Sequence, residues 1–497
     1  MYTPHVSPLV AVMLFAWIPI VLSLFALLPS RNAVITAFLT AWLFLPVHEY
    51  EIKFFPEYNK MTATCLGIFC ATLIFDAERL LRFRPRWYDL PALVFIMVPL
   101  CSSLANGLGA YDGLSESFKQ LVHWGLPYFL GRIYFNTHRD MRALLFGIFI
   151  GGLIYVPFCW YEIRFSPQLH RLLYGFHQAS FVQVLRFGGF RPMVFLEHGL
   201  MIGMWMASAT LVAVDFWLTR AYRNLWGIPM PVFASVLGVT TLFCKSTGAI
   251  VLLVIGVATL VIIRLGARAL PIGLLAALSI VYVVIRASGL WTAQPLVDLA
   301  EKAIGPDRAQ SLQTRIDNEN LLAEKARQRL LFGWGGWGRS RIYDEYGKDI
   351  SITDSLWIIV LGQNGIVGLG SLVTMILLPT FLLSYRLPGM AFHHPGVGAT
   401  LGAALIICIW MIDNCFNAMV NPIYVVLVGG LAGIPRVRAV QLPRRRGLET
   451  SSVSVTAQTP AVRVAQHRIA AKRAAREIDN WLPESRTFSH SDGTKNE

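Results

Sequence analysis

The sequence predicts an all-α polytopic membrane protein, and three observations carry that reading. Hydrophobic residues make up 55% of the chain and charged ones only 14%, with a mean hydropathy of +0.54. A soluble domain of this length carries far more charge. The apolar residues also gather in runs near the ~20 residues that a spanning helix needs. Finally, most loops between the runs are short. Each span must satisfy its own backbone hydrogen bonds, so helices are expected and a β-barrel is not.

The elements follow in order. Residues 9–29 resemble a signal peptide in hydropathy but lack a basic leader, and a second apolar run follows almost at once. The segment is therefore expected to remain as a helix. Spans 33–47, 62–76, 90–106, 117–134 and 141–162 come next. A long loop, 163–196, precedes spans 197–218, 228–243, 247–264 and 269–286, of which the 228–264 region admits another division. A large loop, 287–353, separates the tenth span from the eleventh, and spans 354–383, 397–416 and 420–434 close the membrane domain, residues 1–434. The expected count is about thirteen, within a range of about 12–14. Residues 435–497 form a basic tail, read as flexible.

Lys and Arg in short loops set the orientation. Arg79, Arg82, Arg84 and Arg86 share one side with Arg132, Arg139, Arg142, Arg220, Arg223, Arg264, Arg268 and Arg386 when the spans alternate. Arg31 and the tail from Arg436 join them, and this side is expected to be cytoplasmic. The N-terminus, 48–60, 106–116, 163–196, 287–353 and 413–419 then lie outside. The net charge of +14 comes from this bias and from the tail. No nucleic-acid-binding motif accompanies it. A tail held near anionic lipid is the expectation, with residues 461–482 as a basic surface helix.

The seven cysteines all sit in or at the ends of apolar runs, with no C-x-x-C pair. They read as apolar filling. His393 and His394 are adjacent, and His170 and His177 are not i,i+4 partners. No metal ligand set is indicated, and no cofactor is expected.

The 287–353 loop is where chemistry is expected, because long loops in compact proteins are usually functional or disordered. It carries Trp291, Trp334 and Trp337 among Arg315, Arg327, Arg329, Arg339 and Arg341. Gly333-Trp-Gly-Gly-Trp-Gly338 satisfies G-x-G-x-x-G formally. The dinucleotide reading needs a preceding strand and a βαβ unit, and neither is present. A glycine-rich turn packing tryptophans fits better, either near a ligand or at the membrane surface. Glu324 and Lys325 read as a solvent-exposed pair on a helix over 316–331.

The order and spacing of several short motifs resemble the O-antigen ligase and Wzy-type polymerase superfamily of bacterial envelope glycan transferases. At the loop exit, Asp354-Ser355 is followed by nine residues and Gly365-Ile-Val-Gly368. The family form is H-[N/S/Q]-x9-G-x-x-G, so Asp354 stands where the family has histidine. Before it come Arg315, a helix and Gly333-Trp-Gly335. Arg186-Phe-Gly-Gly-Phe-Arg191 resembles the family's R-x-x-G-x-x. Ser246-Thr-Gly-Ala249 resembles its S-R-G-A, with the arginine lost and Lys245 one residue before the serine. The resemblance covers roughly 140–435.

The resemblance implies a glycan donor on undecaprenyl diphosphate at the periplasmic face of the bacterial inner membrane, and metal-independent transfer. Negative charge grows on the departing diphosphate, which guanidinium groups match bidentately. Arg186, Arg191 and Lys245 are the diphosphate candidates, and Arg315 and Asp354 the catalytic ones. Asp354 is read either as a base for the acceptor hydroxyl or as the cap of the following helix. Trp334 and Trp337 are candidates for stacking on sugar rings. The loss of the family histidine favours an O-antigen or exopolysaccharide polymerase-like glycosyltransferase over a ligase acting on lipid A core. A lipid-linked glycan flippase or transporter, or a non-catalytic export component, is the alternative class. Expected partners are the lipid-linked glycan, a glycan or lipid acceptor, membrane lipids and other polysaccharide-assembly proteins; nucleic acid is not expected.

Overall fold

Each of the apolar runs folds as a helix in the computed structural model, which describes residues 6–52, 57–266, 269–336, 338–386 and 395–434. Trp337, Arg268, His393, His394 and the tail 435–497 lie outside the described residues. The described chain is mostly helical, and its strands are confined to two hairpins, Leu185–Arg186 with Gly189–Phe190 and Asn224–Leu225 with Ile228–Pro229.

Among the described residues, eight helices are long and apolar enough to cross a membrane: Pro8–Leu27, Trp87–Ala105, His138–Phe165, Gly199–Thr219, Thr247–Gly266, Leu270–Ser288, Leu356–Ser384 and Val397–Asn414. The chain is therefore a multi-pass membrane protein. The other runs form shorter helices, Ser30–Phe44, Lys60–Phe75, Met230–Phe243 and Pro422–Gly433. The run expected at 117–134 starts earlier, as Ala110–Gln120, and passes through a π-turn at Leu121–Gly125 into Leu126–Tyr134. Side-chain caps start several helices: Asn59 accepts from the amides of Met61 and Thr62, and Asn421 from that of Ile423.

Burial separates a centre from a periphery. Pro422–Gly433 is buried at every position from Pro422 to Ala432, as expected of a helix apolar on all faces. Val397–Asn414 and Gly199–Thr219 are nearly as enclosed, at 89% and 83%. Small residues bring the centre close. A Cβ on Gly429 would lie 1.9 Å from the Tyr128 carbonyl oxygen, and one on Gly131 2.2 Å from that of Val426. The helices Leu126–Tyr134 and Pro422–Gly433 therefore pack backbone against backbone.

The large loop is mostly helix. Gln294–Ile304 and Pro306–Arg327 meet at Gly305, whose φ of 101° turns the chain. They pack through Ala293, Val297, Ala309 and Ile316. The helix expected over 316–331 thus begins earlier and ends at Arg327.

Candidate functional site

Arg315 projects from the loop helix Pro306–Arg327 and pairs with Asp354, with Nε 3.1 Å from Oδ2. Its Nη1 donates to Asn417 Oδ1 at 3.1 Å. Asn417 in turn donates from Nδ2 to Asp413 Oδ1 at 2.9 Å. A chain of contacts therefore runs Asp354–Arg315–Asn417–Asp413. Arg315 and Asp354 stay 29% and 38% exposed, so the pair is open to a ligand. The far end is enclosed: Asp413 is buried, and its Oδ2 has no hydrogen-bond partner among the described residues.

Beneath the pair, the loop helix is pinned to the membrane domain. Glu319 accepts from Ser355 Oγ at 2.6 Å and pairs with Arg286 Nη2 at 2.9 Å. Arg286 also donates to the Trp291 carbonyl at 3.0 Å and to Asn320 at 2.7 Å. Burial pushes the Glu319 carboxyl up, against the lowering effect of Ser355 and Arg286. Ser355 follows Asp354 directly, so this buried link fixes where Asp354 stands.

A second group comes from the earlier long loop, residues 163–196. Leu185–Arg186 and Gly189–Phe190 form a hairpin whose turn residues, Phe187 and Gly188, have φ of 48° and 65°. Positive φ at both positions is the two-residue hairpin turn that matches strand twist. The hairpin lies on the turn before Thr247–Gly266: Lys245 Nζ donates to the Phe187 carbonyl at 3.4 Å. Arg191 is buried and donates from Nη2 to the Lys245 carbonyl at 3.0 Å. Its side chain crosses Gly199, where a Cβ would lie 2.2 Å from Arg191 Cδ. Glycine at 199 leaves the room that arginine needs.

His198 joins the two groups. Its Nδ1 accepts the Leu200 amide at 3.1 Å and starts the helix Gly199–Thr219. Burial pushes the imidazole down to about 4, and Arg191, Arg315 and Arg186 push the same way by repulsion. Arg186, Arg191 and Arg315 thus all act on His198 by charge, while Arg191 bonds the Lys245 carbonyl and Arg315 pairs with Asp354.

The glycine-rich turn has a structural task. The helix Leu356–Arg386 is broken at Gly365, with φ 65° and ψ −163°. The break frees backbone groups, and the turn satisfies them. Ile366 N–H donates to the Leu330 carbonyl at 2.7 Å and Val367 N–H to that of Leu331 at 3.3 Å. In return, Trp334 N–H donates to the Gly362 carbonyl at 2.8 Å and Gly335 N–H to that of Gln363 at 3.0 Å. A Cβ on Gly333 would lie 2.5 Å from Gln363 backbone, and one on Gly365 2.4 Å from the Leu331 oxygen. Asn106 and Ser102 tie the junction to the helix Trp87–Ala105, donating to Gly333 O at 2.9 Å and Gln363 O at 2.8 Å.

Trp334 is held inside this junction. Its Nε1 donates to the Lys325 carbonyl at 2.9 Å, and Arg329 and Lys325 lie over the ring at 4.7 and 5.2 Å. The ring expected to stack on a sugar is thus in contact with two cations. Lys325 is also engaged with the Arg341 carbonyl, not with Glu324. The Asp354 carboxylate turns to Arg315, and no helix amide bonds to it among the described residues, so capping does not account for it. Three site features escaped the sequence: His198, Asn417 and Asp413. His198 directly precedes an apolar run, a visible capping position. Asn417 and Asp413 gave no local signal, because their partner Arg315 is about a hundred residues away in the chain.

No protein-family model matches this chain, and no curated protein matches it in sequence.

Proposed function

We propose that this protein transfers a glycan from a lipid diphosphate to an acceptor hydroxyl at the external face of a bacterial inner membrane, as a polymerase-like glycosyltransferase. The observation that carries the reading is the partly exposed Arg315–Asp354 pair, with Arg186, Arg191 and Arg315 each close enough to His198 to act on its charge. A cluster of cations beside an accessible carboxylate suits a reaction in which an anion departs and a proton is taken up. The motif order that resembles the O-antigen ligase and Wzy superfamily points the same way. About thirteen spans, the loop 287–353 outside and the tail inside belong to this proposal.

The acceptor oxygen bonds to the anomeric carbon, and the bond from that carbon to the phosphate oxygen breaks. The lipid diphosphate leaves with the electron pair. The hydroxyl proton passes to Asp354, whose carboxylate Arg315 orients. Arg191 and Arg315 stabilise the departing charge, the kind of preorganised contact worth most where water is scarce. Lys245 and Arg186 hold the diphosphate from the hairpin side. Asp354 and Asp413 lie at opposite ends of the Arg315–Asn417 bridge, so Asp413 positions the arginine through Asn417.

The test is incubation of purified protein with a lipid-diphosphate-linked glycan. Longer glycan and free lipid diphosphate are the expected products. Release of neither, with donor repeat and acceptor supplied together, would overturn the reading. Glycan appearing on lipid A core alone would move it to a ligase. Translocation of intact donor in vesicles without transfer would move it to a transporter.

A further inference from the structure

We infer that His198 is a ligand-binding residue that donates a hydrogen bond from Nε2–H to the anionic group held by Arg191 and Arg315. The inference rests on the site reading above and assigns a role to a residue that takes no part in the step proposed there.

One hydrogen bond fixes the tautomer of His198. Nδ1 accepts the Leu200 amide at 3.1 Å, so in the neutral ring the proton sits on Nε2. A second proton on Nδ1 would face the Leu200 N–H and break the start of the helix. It would also add a further positive charge near Arg186, Arg191 and Arg315, which already act on the ring. The ring is therefore kept neutral, with one donor. That donor is available: Nε2 has no hydrogen bond among the described residues and is not among the fully buried atoms. Its surroundings select what it can bind. The neighbouring cations repel another donor's positive charge and attract an acceptor's negative charge. Arg191 is locked by its bond to the Lys245 carbonyl and by its passage over Gly199, so it cannot swing away. The matching ligand is an oxyanion, of phosphate or diphosphate class. The same tautomer rules out His198 as a base, because neither nitrogen has a free lone pair.

Two substitutions separate binding from capping. Asparagine places its acceptor oxygen near Nδ1, so His198→Asn keeps the cap but loses the distal donor. Glutamine carries its amide nitrogen near Nε2, so His198→Gln keeps the donor and loses the cap. Inorganic pyrophosphate is the probe, with binding to the purified full chain measured by its displacement of labelled pyrophosphate. His198→Asn should unfold at the parent temperature and bind pyrophosphate roughly ten- to a hundredfold more weakly, the effect of losing one bond to a charged group. His198→Gln should lose some thermal stability and keep most of the binding. The reverse pattern, with the Asn variant binding normally, would overturn the inference and leave a cap. If Arg191→Ala and Arg315→Ala weaken binding while both His198 variants bind normally, this inference fails and the site reading survives. If the parent binds no pyrophosphate, both fail.

Discussion

Asp354 and Arg315 approach to 3.1 Å while staying partly exposed, and exposed pairs of this kind contribute little to stability, about 0–1 kcal/mol. Their value must be sought in the reaction. Arg315→Ala should therefore leave folding nearly intact while removing on the order of 2–4 kcal/mol of transition-state stabilisation, roughly 30- to 1000-fold in rate. Transfer assays at matched expression read this directly, and full activity would remove Arg315 from the site. Asp354→Asn should likewise lose most transfer without losing stability, since its carboxylate faces Arg315 and not the helix amides. Asp354 was singled out by the loop-exit spacing and Arg315 by its place before the helix and glycine turn, but their pairing was not legible. Their partner Asn417 was not, because a side chain reached across a hundred residues leaves no local pattern. His198 carries its own prediction. Its folded value, about 4, lies below the ordinary 6.5. A depressed imidazole favours folding above the unfolded value, and that contribution is lost as pH falls from about 6.5 toward about 4. Thermal unfolding across that window should fall less steeply in His198→Asn than in the parent; parallel curves would show that His198 does not titrate this way.

At the scale of elements, the helix Leu356–Arg386 and the turn Gly333–Gly335 form one unit across the break at Gly365. The sequence showed both glycine sets but not their relation. Hydropathy reads the run as a single span, since one residue at φ 65° does not alter the apolar pattern. The G-x-G-x-x-G string likewise gave a formal match whose meaning lies in the backbone groups it satisfies. Gly365→Ala should be strongly disruptive. Backbone at this φ and ψ is essentially reserved for glycine and costs another residue about 1–3 kcal/mol, and the new Cβ would lie 2.4 Å from the Leu331 oxygen. Gly370→Ala is the control, because a Cβ there meets nothing within 4 Å. Thermal unfolding in detergent should drop for Gly365→Ala and not for Gly370→Ala. Equal stability of the two would mean that the junction does not hold the helix mouth in place.

At the scale of the whole molecule, composition made the membrane class and the helical content readable, because a bilayer leaves a chain few alternatives. Which helices form the centre was not readable, since the enclosed Pro422–Gly433 and the peripheral Leu270–Ser288 are both apolar. Close glycine contacts decide that, and they appear only once helices are packed. The fold does fix one distance that bears on orientation. The helix Trp87–Ala105 ends beside Asn106, which bonds Gly333 of the site junction. Its 19 residues span about 28 Å at 1.5 Å each. The arginine-rich segment before it, with Arg79, Arg82, Arg84 and Arg86, therefore lies at the far end of that helix from the site. If that segment is cytoplasmic, as basic short loops are, the site faces outward. Two exposed positions test this: Tyr346 on the large loop, 93% accessible, and Leu81 in the basic segment, 85% accessible. In a background with Cys70 and Cys101 replaced by serine, Tyr346→Cys should react with a membrane-impermeant maleimide in cells whose outer membrane is permeable and inner membrane intact. Leu81→Cys should react only after the inner membrane is opened. The opposite labelling pattern would turn the arginine site toward the cytoplasm and sink a reaction at the external face.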